Sequence, residues 1–149
     1  MSRVLVFAYG SNMHPERMLE RVPGAVARGR GRLRGRRFVV NKRGRDGSAK
    51  ANLADDADGL VWGVLWELTR EEVAALDRHE GGYERQQVSI ETDEGVVTAE
   101  TYVSDWIMEA PRAHDWYLTH IVRGARAFGF PEDYVAWLAD HPSRAVETE

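Results

Sequence analysis

The chain has 149 residues, of which 43% are hydrophobic and 30% are charged. This length and composition are typical of one globular domain and exclude a fibrous or largely disordered protein, so we expect a single domain over residues 1–149 with a polar tail after about residue 143. The chain contains no cysteine, which excludes disulfides, thiolate metal sites and a cysteine nucleophile. The formal net charge of -4 does not require a nucleic-acid or anionic partner.

The N-terminal segment predicts a short buried strand, a turn and a helix. Residues 4–9 are β-branched and aromatic, and they end at the turn signal Gly10-Ser11-Asn12. Residues 15–21 suit a helix that begins at a proline and turns Met18 and Leu19 inward. The apolar run before the turn is too short for a signal peptide or a membrane span, so we expect a cytoplasmic protein without a membrane partner.

The next segment, residues 25–40, alternates like a strand and is rich in arginine. Period-two spacing places five arginines on one face of an extended chain: Arg28, Arg30, Arg32, Arg34 and Arg36. The glycines between them indicate bulges or close backbone approach, and we therefore expect this strand to bend.

The middle of the chain predicts further strands around one helix. We expect a polar loop over residues 41–48, a short strand over residues 49–54 and a tight turn over residues 55–59. The strongly apolar residues 60–68 then predict a central strand.

A capping-box pattern follows this strand, because Thr69 is followed three residues later by Glu72. It predicts a helix that begins near Thr69 and stops before Gly81-Gly82. Residues 83–91 and 96–103 alternate and predict a hairpin around Asp93-Glu94-Gly95.

The last third of the chain predicts two helices. Residues 116–128 carry one apolar face and stop at Gly129, and Pro131 begins a second helix that His141-Pro142 closes. Strands fill the first two-thirds without regular strand-helix alternation, which indicates the α+β class. We expect a small mixed β-barrel with helices packed outside.

The first candidate site is the Tyr9-Gly10-Ser11-Asn12 turn. A turn of this kind can point successive backbone N–H groups into one space, and the start of the next helix favours an anion there. It suits a carboxylate or a carbonyl oxygen. A tight capped turn without any ligand explains the same residues.

The second candidate is Glu80, which stands beside a glycine pair at the expected end of a helix. The helix dipole disfavours a negative charge there and would raise the pKa of the carboxyl, which suits a general acid/base. An exposed glutamate at a helix end is the alternative.

The third candidate is the basic segment of residues 28–45, either as a phosphate or nucleic-acid contact or as a solvated barrel face paired with acidic neighbours. We expect no metal site, because His114 and His120 are six residues apart and lie on different helix faces. A serine nucleophile elbow has the pattern G-x-S-x-G, and Ser11 lacks the glycines two residues before and two residues after it.

Four motifs in a fixed order connect the first two candidates. An F-x-Y-G-S-N turn occupies residues 7–12, a V-W-G-V-x-W strand residues 61–66 and an L-D-x-x-E-G segment residues 76–81, and a tyrosine-led strand follows at residues 83–88. In these motifs the chain resembles the γ-glutamyl cyclotransferase-like family. The resemblance spans roughly residues 4–103, with a weaker continuation at Tyr117 and residues 124–131, and it implies the same small barrel.

The resemblance implies an enzyme in which the α-amine of a γ-glutamyl compound attacks its own γ-carbonyl, releasing 5-oxoproline and an amine or amino acid. Glu80 matches the acid/base glutamate of the family. The N–H groups of Gly10, Ser11 and Asn12 match its substrate cradle.

The same resemblance suggests pocket walls at Tyr9, Tyr83 and Tyr117. The substrate is then a small molecule that supplies its own nucleophile, so no metal or organic cofactor is expected, and the protein is a monomer or a homodimer. The Ser11-Asn12-Met13 turn is closer to cyclotransferases proper than to relatives that act on γ-glutamylamines. Two alternatives stay open: a family member acting on a specialised γ-glutamylated amine in a biosynthetic pathway, and a non-enzymatic anion- or nucleic-acid-binding module using residues 28–45.

Overall fold

Five strands close into a barrel that organises the whole structure, a computed structural model that describes residues 3–108 and 111–144. The strands are β1 (Arg3–Ala8), β2 (Val26–Arg43), β3 (Ala49–Thr69), β4 (Glu84–Thr92) and β5 (Gly95–Val103). They follow the order β1-β3-β2-β4-β5, and neighbours are antiparallel except β1 and β5, which pair in parallel and close the barrel.

Four helices in the described part of the chain accompany the barrel: α1 (Pro15–Arg21), α2 (Arg70–Asp77), α3 (Asp115–Ala127) and α4 (Glu132–Ala139). A 3-10 turn over Ser11–Met13 links β1 to α1, and the two-residue strands β6 (Ala113–His114) and β7 (Ser143–Arg144) pair in parallel. The predicted α+β barrel with helices is therefore confirmed. The predicted polar tail is described only as far as Arg144, since residues 145–149 lie outside the described residues.

Strands and helices share one hydrophobic core. Its largest fully buried side chains include Phe7, Phe38 and Trp66 from strands and Met18 and Ile121 from helices. Burying each such side chain stabilises the fold by about 1.5–3 kcal/mol relative to leaving it in water. The helices are therefore held to the barrel by the same apolar surface that fills it.

The long hairpin of β2 and β3 differs from the predicted loop and short strands. β2 continues through Arg43, and β3 runs unbroken from Ala49 to Thr69, so the expected loop over residues 41–48 shrinks and the expected turn over residues 55–59 does not divide the strand. The ladder absorbs the extra residues as an irregularity, since Arg34 pairs with Leu60 and Arg36 with Asp55. Pairing on both sides of this irregularity keeps one continuous strand.

The predicted bends of β2 are confirmed. The register shifts between Ala27 and Gly29 and between Arg34 and Arg36, and Gly29 and Gly35 have positive φ angles. The inward orientation predicted for Leu19 is wrong, because Leu19 is exposed whereas Met18 is fully buried. On a helix of two turns only one stripe reaches the core, and the neighbour of a buried residue points away from it.

The capping box at the start of α2 is confirmed. The Thr69 hydroxyl accepts the N–H of Glu72 at 3.2 Å, and the Glu72 carboxylate accepts the N–H of Thr69 at 2.8 Å. The helix ends at Asp77, earlier than the sequence suggests. The chain then turns through residues 78–82, and this turn carries Glu80.

Helix α3 packs directly against the 3-10 turn. Gly124 makes this close approach possible, because a Cβ atom at that position would lie 2.6 Å from the backbone nitrogen of His14 and 2.7 Å from the carbonyl carbon of Met13. The contact brings Tyr117, seven residues earlier on the same helix, beside the turn that follows β1. The fold thus gathers β1, α3 and the turn after α2 around one space.

Candidate functional site

A cavity of about 430 Å³ opens between the turn after β1 and the turn after α2. The seven side chains and turn residues that the sequence singled out all line it: Tyr9, Gly10, Ser11, Asn12, Glu80, Tyr83 and Tyr117. Segments almost seventy residues apart in the chain therefore meet at one site. Sequence spacing could not reveal this meeting, because it depends on barrel closure.

The turn after β1 presents its backbone at the cavity wall. Gly10 precedes the 3-10 turn, and the first N–H groups of such a turn, those of Ser11 and Asn12, have no acceptor within it. A side chain at Gly10 would not fit, since a Cβ atom there would lie 2.8 Å from the Cβ of Ala51 on β3. The backbone of the turn is therefore packed closely against β3 at the edge of the cavity.

Glu80 is fixed by the N-terminal segment. Its Oε1 accepts a hydrogen bond of 2.9 Å from Asn12 Nδ2 and lies 3.7 Å from Arg21 Nη1. The same Arg21 nitrogen donates to Asn12 Oδ1 at 3.3 Å, which closes a triangle of three side chains. The Glu80 side chain is only 11% exposed, so the alternative of an exposed helix-end glutamate is wrong.

The pKa of Glu80 is raised above its usual value. Burial is the largest cause, because removal from water disfavours the charged form, and Arg21, the Asn12 hydrogen bond, Arg17 and Lys42 oppose it. The predicted direction agrees with the structure, whereas the predicted cause does not: Glu80 lies beyond the end of α2, and desolvation dominates. A carboxyl whose pKa is raised in this way can both accept and return a proton.

Three tyrosines form the walls and keep their protons. Tyr9 donates to the carbonyl of Tyr102, Tyr83 donates to the carbonyl of Ala51 at 2.6 Å, and the Tyr117 oxygen accepts the N–H of Ala51 at 2.9 Å. Burial raises the pKa of Tyr9, Tyr83 and Tyr117. The phenols are therefore neutral, rigid surfaces rather than bases.

The cavity is rich in cations, of which Lys42 and Arg45 belong to the basic segment of residues 28–45 and the others were not singled out from the sequence. Six basic side chains line it, against the two carboxylates of Asp46 and Glu80: Arg17, Arg21, Lys42, Arg45, Lys50 and Arg78. Arg17 Nε donates to Ser11 Oγ at 2.9 Å. The spacing of Arg17 and Arg21, four residues apart on the helix after the turn, was the available signal, since such residues share one helix face.

The arginine-rich part of β2 lies elsewhere. None of Arg28, Arg30, Arg32, Arg34 and Arg36 lines the cavity. Instead Arg28 pairs with Glu67 at 2.8 Å, Arg34 with Glu91 at 2.6 Å and Arg36 with Asp55 at 3.1 Å. These cross-strand pairs match a solvated barrel face rather than a nucleic-acid contact.

Within residues 3–108 and 111–144, no three His, Asp or Glu side chains group closely enough to hold a metal ion. In the same part of the chain, no helix is both long and apolar enough to cross a membrane.

Comparison with known proteins identifies the family of this chain. The model of the AIG2-like family matches residues 60–138, the stretch that contains the second part of β3, Glu80, all of α3 and most of α4. The γ-glutamylcyclotransferase of Bos taurus is 30% identical over 140 residues, which cover 87% of this chain and 74% of that protein. The chain belongs to the γ-glutamylcyclotransferase/AIG2-like family.

Other relatives agree with this assignment. The Homo sapiens γ-glutamylcyclotransferase also shows 30% identity over 140 residues, with the same coverage of 87% and 74%. A solved structure named γ-glutamyl cyclotransferase superposes with a TM-score of 0.90 at 25% identity and covers 99% of this chain and 93% of that one. These relatives support an enzyme of the γ-glutamylcyclotransferase type.

Proposed function

We propose that this protein is a γ-glutamyl cyclotransferase that converts a γ-glutamyl compound into 5-oxoproline and a free amine or amino acid, with Glu80 as its general acid/base. The observation that carries the proposal is the buried Glu80 carboxyl with a raised pKa, held by Asn12 in a cavity that also exposes the turn after β1. Because the substrate supplies its own nucleophile, the reaction needs from the protein one group that transfers protons and hydrogen-bond donors that hold the substrate.

The turn after β1 suits the negatively charged oxygens of the substrate. The N–H groups of Gly10, Ser11 and Asn12 can donate to the substrate α-carboxylate or to the oxyanion that develops on the γ-carbonyl. Donors that are fixed before reaction stabilise such a charge without reorganisation. Tyr9, Tyr83 and Tyr117 then enclose the glutamyl chain as walls.

The substrate α-nitrogen enters the site mainly as an ammonium, since a free α-amine has a pKa of about 8. Glu80 accepts a proton from it, and the amine attacks the γ-carbonyl carbon to form the new C–N bond. The original amide C–N bond then breaks, and Glu80 returns the proton to the leaving nitrogen. Glu80 then takes a second proton from the cyclised nitrogen and passes it to the leaving amine. Two protons thus leave the α-nitrogen, two reach the leaving amine, and Glu80 ends in its starting state.

The experiment is release of 5-oxoproline by the Glu80→Gln variant with a panel of γ-glutamyl amino acids and γ-glutamylamines. Glutamine keeps the size of glutamate and an oxygen that can accept from Asn12, but it cannot carry a proton. We expect kcat to fall by about 10²–10⁴, the usual contribution of a positioned acid/base, with an unchanged circular dichroism spectrum and melting temperature.

Glu91→Gln is the matched control, because it removes a carboxylate that pairs with Arg34 outside the cavity. It should leave 5-oxoproline release unchanged. Equal turnover by Glu80→Gln and the parent protein would exclude Glu80 as the acid/base. Exclusive turnover of a single γ-glutamylated amine within the panel would favour the specialised biosynthetic alternative.

A further inference from the structure

The chain contains two lysines, and both line the cavity. The other eighteen of the twenty Lys and Arg residues in the chain are arginines. Lys42 on β2 and Lys50 on β3 are also directly opposite each other in the ladder. Opposite residues of an antiparallel pair point to the same side of the sheet, and like charges in this position destabilise it. The fold therefore maintains two positive charges together at one end of the site.

Both ammonium groups are held in place by aromatic rings. Lys42 Nζ lies 4.8 Å from the ring centre of Tyr83 and 5.5 Å from that of Trp106, and Lys50 Nζ lies 5.0 Å from Trp116 and 4.7 Å from Tyr117. Lys42 is 4% exposed. Cation–π contacts hold a cation without neutralising it, so the positive charge remains available to a ligand.

Lys42 has donors to spare. One of its three N–H groups donates to the carbonyl of Gly81 at 2.6 Å, next to Glu80, and no carboxylate among the described residues lies within ion-pair distance of it. A buried ammonium without a carboxylate is costly, and a negative ligand would offset that cost.

The remaining groups at this end leave a positive excess. Lys50 has one carboxylate near it, that of Asp46 at 3.7 Å. Asp46 also accepts from Ser48 at 2.6 Å and lies 3.1 Å from His114. The Arg45 guanidinium adds a third cation, since its Nη2 would lie 3.1 Å from a Cβ atom placed on Gly81. Glu80 also acts electrostatically on Lys42, but it already lies within ion-pair distance of Arg21. Among the described residues at this end, Lys42, Lys50 and Arg45 therefore face the one remaining carboxylate, that of Asp46, and two positive charges are left to be matched.

We propose that Lys42, Lys50 and Arg45 form a subsite for a leaving amine that carries two negative charges. The proposal rests on the cyclotransferase function above, in which the glutamyl part of the substrate lies between Glu80 and the turn after β1. Lys42 contacts Gly81 beside Glu80 and Lys50 contacts Tyr117 in the same cavity, so both lysines lie within reach of the leaving amine. A dicarboxylic amino acid and an amine bearing a phosphate both supply two charges. The subsite thus specifies a γ-glutamyl compound with an acidic leaving group.

The first experiment compares isosteric substrates. We expect kcat/KM for γ-glutamyl-glutamate to exceed that for γ-glutamyl-glutamine by at least about tenfold, which corresponds to about 1.4 kcal/mol. γ-Glutamyl-phosphoethanolamine serves as the phosphate arm, and whichever dianionic substrate is preferred identifies the source of the charges. Equal kcat/KM for the acidic and neutral substrates would overturn the subsite while leaving the cyclotransferase function intact.

Three variants test whether the lysine pair causes the preference. Lys50→Met keeps the apolar stem and removes the charge, so the ratio of acidic to neutral kcat/KM should collapse toward one. Lys50→Arg keeps the charge and should retain the preference. Arg34→Gln removes a cation outside the cavity and should leave the ratio unchanged.

A second measurement needs no turnover. With lysine labelled by ¹³C at Cε and ¹⁵N at Nζ, the two lysines give two side-chain signals. In the Glu80→Gln variant, γ-glutamyl-glutamate should shift both signals at lower concentration than γ-glutamyl-glutamine does. If these shifts occur but the parent protein releases 5-oxoproline from no substrate, the anion subsite is retained and the cyclotransferase function is rejected. Equal titrations with the two compounds would reject the subsite.

Discussion

Two basic regions of this molecule have opposite surroundings. On the arginine-rich part of β2, positive side chains meet carboxylates of neighbouring strands, as Arg28 meets Glu67 and Arg34 meets Glu91. In the cavity, Lys42 has rings and a carbonyl for neighbours instead of a carboxylate, among the residues that the structure describes. The more conspicuous run of charge in the sequence is therefore the more neutral region in space.

The difference shows what distinguishes a ligand site from a charged surface. Exposed ion pairs contribute about 0–1 kcal/mol to stability and are screened by salt. Cations that are buried without a carboxylate lower stability, so their retention needs another reason, and binding an anion supplies one. Burial and missing partners, rather than charge density, separate the two regions.

The largest effect that would sharpen this comparison is expected from Arg21→Gln. Arg21 is the strongest of the groups that lower the pKa of Glu80 against burial, so its removal should raise that pKa further. Because Glu80 must be ionised to accept a proton, the rising limb of kcat/KM against pH should move to higher pH. Activity on this acidic limb should fall about tenfold or more, which a pH–rate profile of 5-oxoproline release measures.

Arg32→Gln is the corresponding control outside the cavity. Arg32 pairs with Glu91 and Asp93 and stacks over Trp62. Its loss should leave the pH profile where it is. A profile displaced by Arg32→Gln as much as by Arg21→Gln would remove the distinction between the two regions.

The next effect concerns stability. Burial, with the nearby cations Arg17 and Lys42, lowers the pKa of Lys50, and Asp46 opposes this only in part. The charge on Lys50 therefore costs stability at neutral pH, and the parent protein gains stability as pH rises through the folded pKa toward the unfolded value of 10.5. Lys50→Met should unfold at a higher urea concentration at about pH 7. Its free energy of unfolding should be larger by about 0.5–1 kcal/mol, the scale of an opposed like-charge pair.

This gain should shrink near pH 10, where the parent lysine loses its proton, and urea titrations at both pH values measure the difference. Loss of stability at neutral pH would show that Asp46 compensates Lys50 fully. In that case the positive excess of the cavity would be smaller than we infer.

The smallest effect is expected on the barrel surface. Arg34→Gln removes an ion pair whose arginine side chain is 65% exposed. The free energy of unfolding should change by no more than about 0.5 kcal/mol, and 5-oxoproline release should be unaffected. A loss of several kcal/mol would mean that the surface pairs contribute to stability more than exposed pairs usually do.

Much of the local structure was predictable because its causes are local. The capping box of Thr69 and Glu72, the hairpin of β4 and β5 and the stop of α3 at Gly129 depend on a few adjacent residues. The wrong boundaries depend on distant pairing: β2 extends to Arg43 because β3 continues the ladder opposite it. Leu19 is exposed because the core accepts one stripe of α1.

The sequence by itself determined the strand and helix types, the order of the four motifs and hence the family and the two candidate segments. Only the tertiary structure decided that Glu80 is buried against Asn12, since this contact joins residues sixty-eight positions apart. It also decided that Lys42 faces Lys50 in the cavity, whereas Arg28, Arg32, Arg34 and Arg36 of β2 meet carboxylates outside it. Burial and charge pairing arise from closure of the barrel, and no local pattern in the chain encodes them.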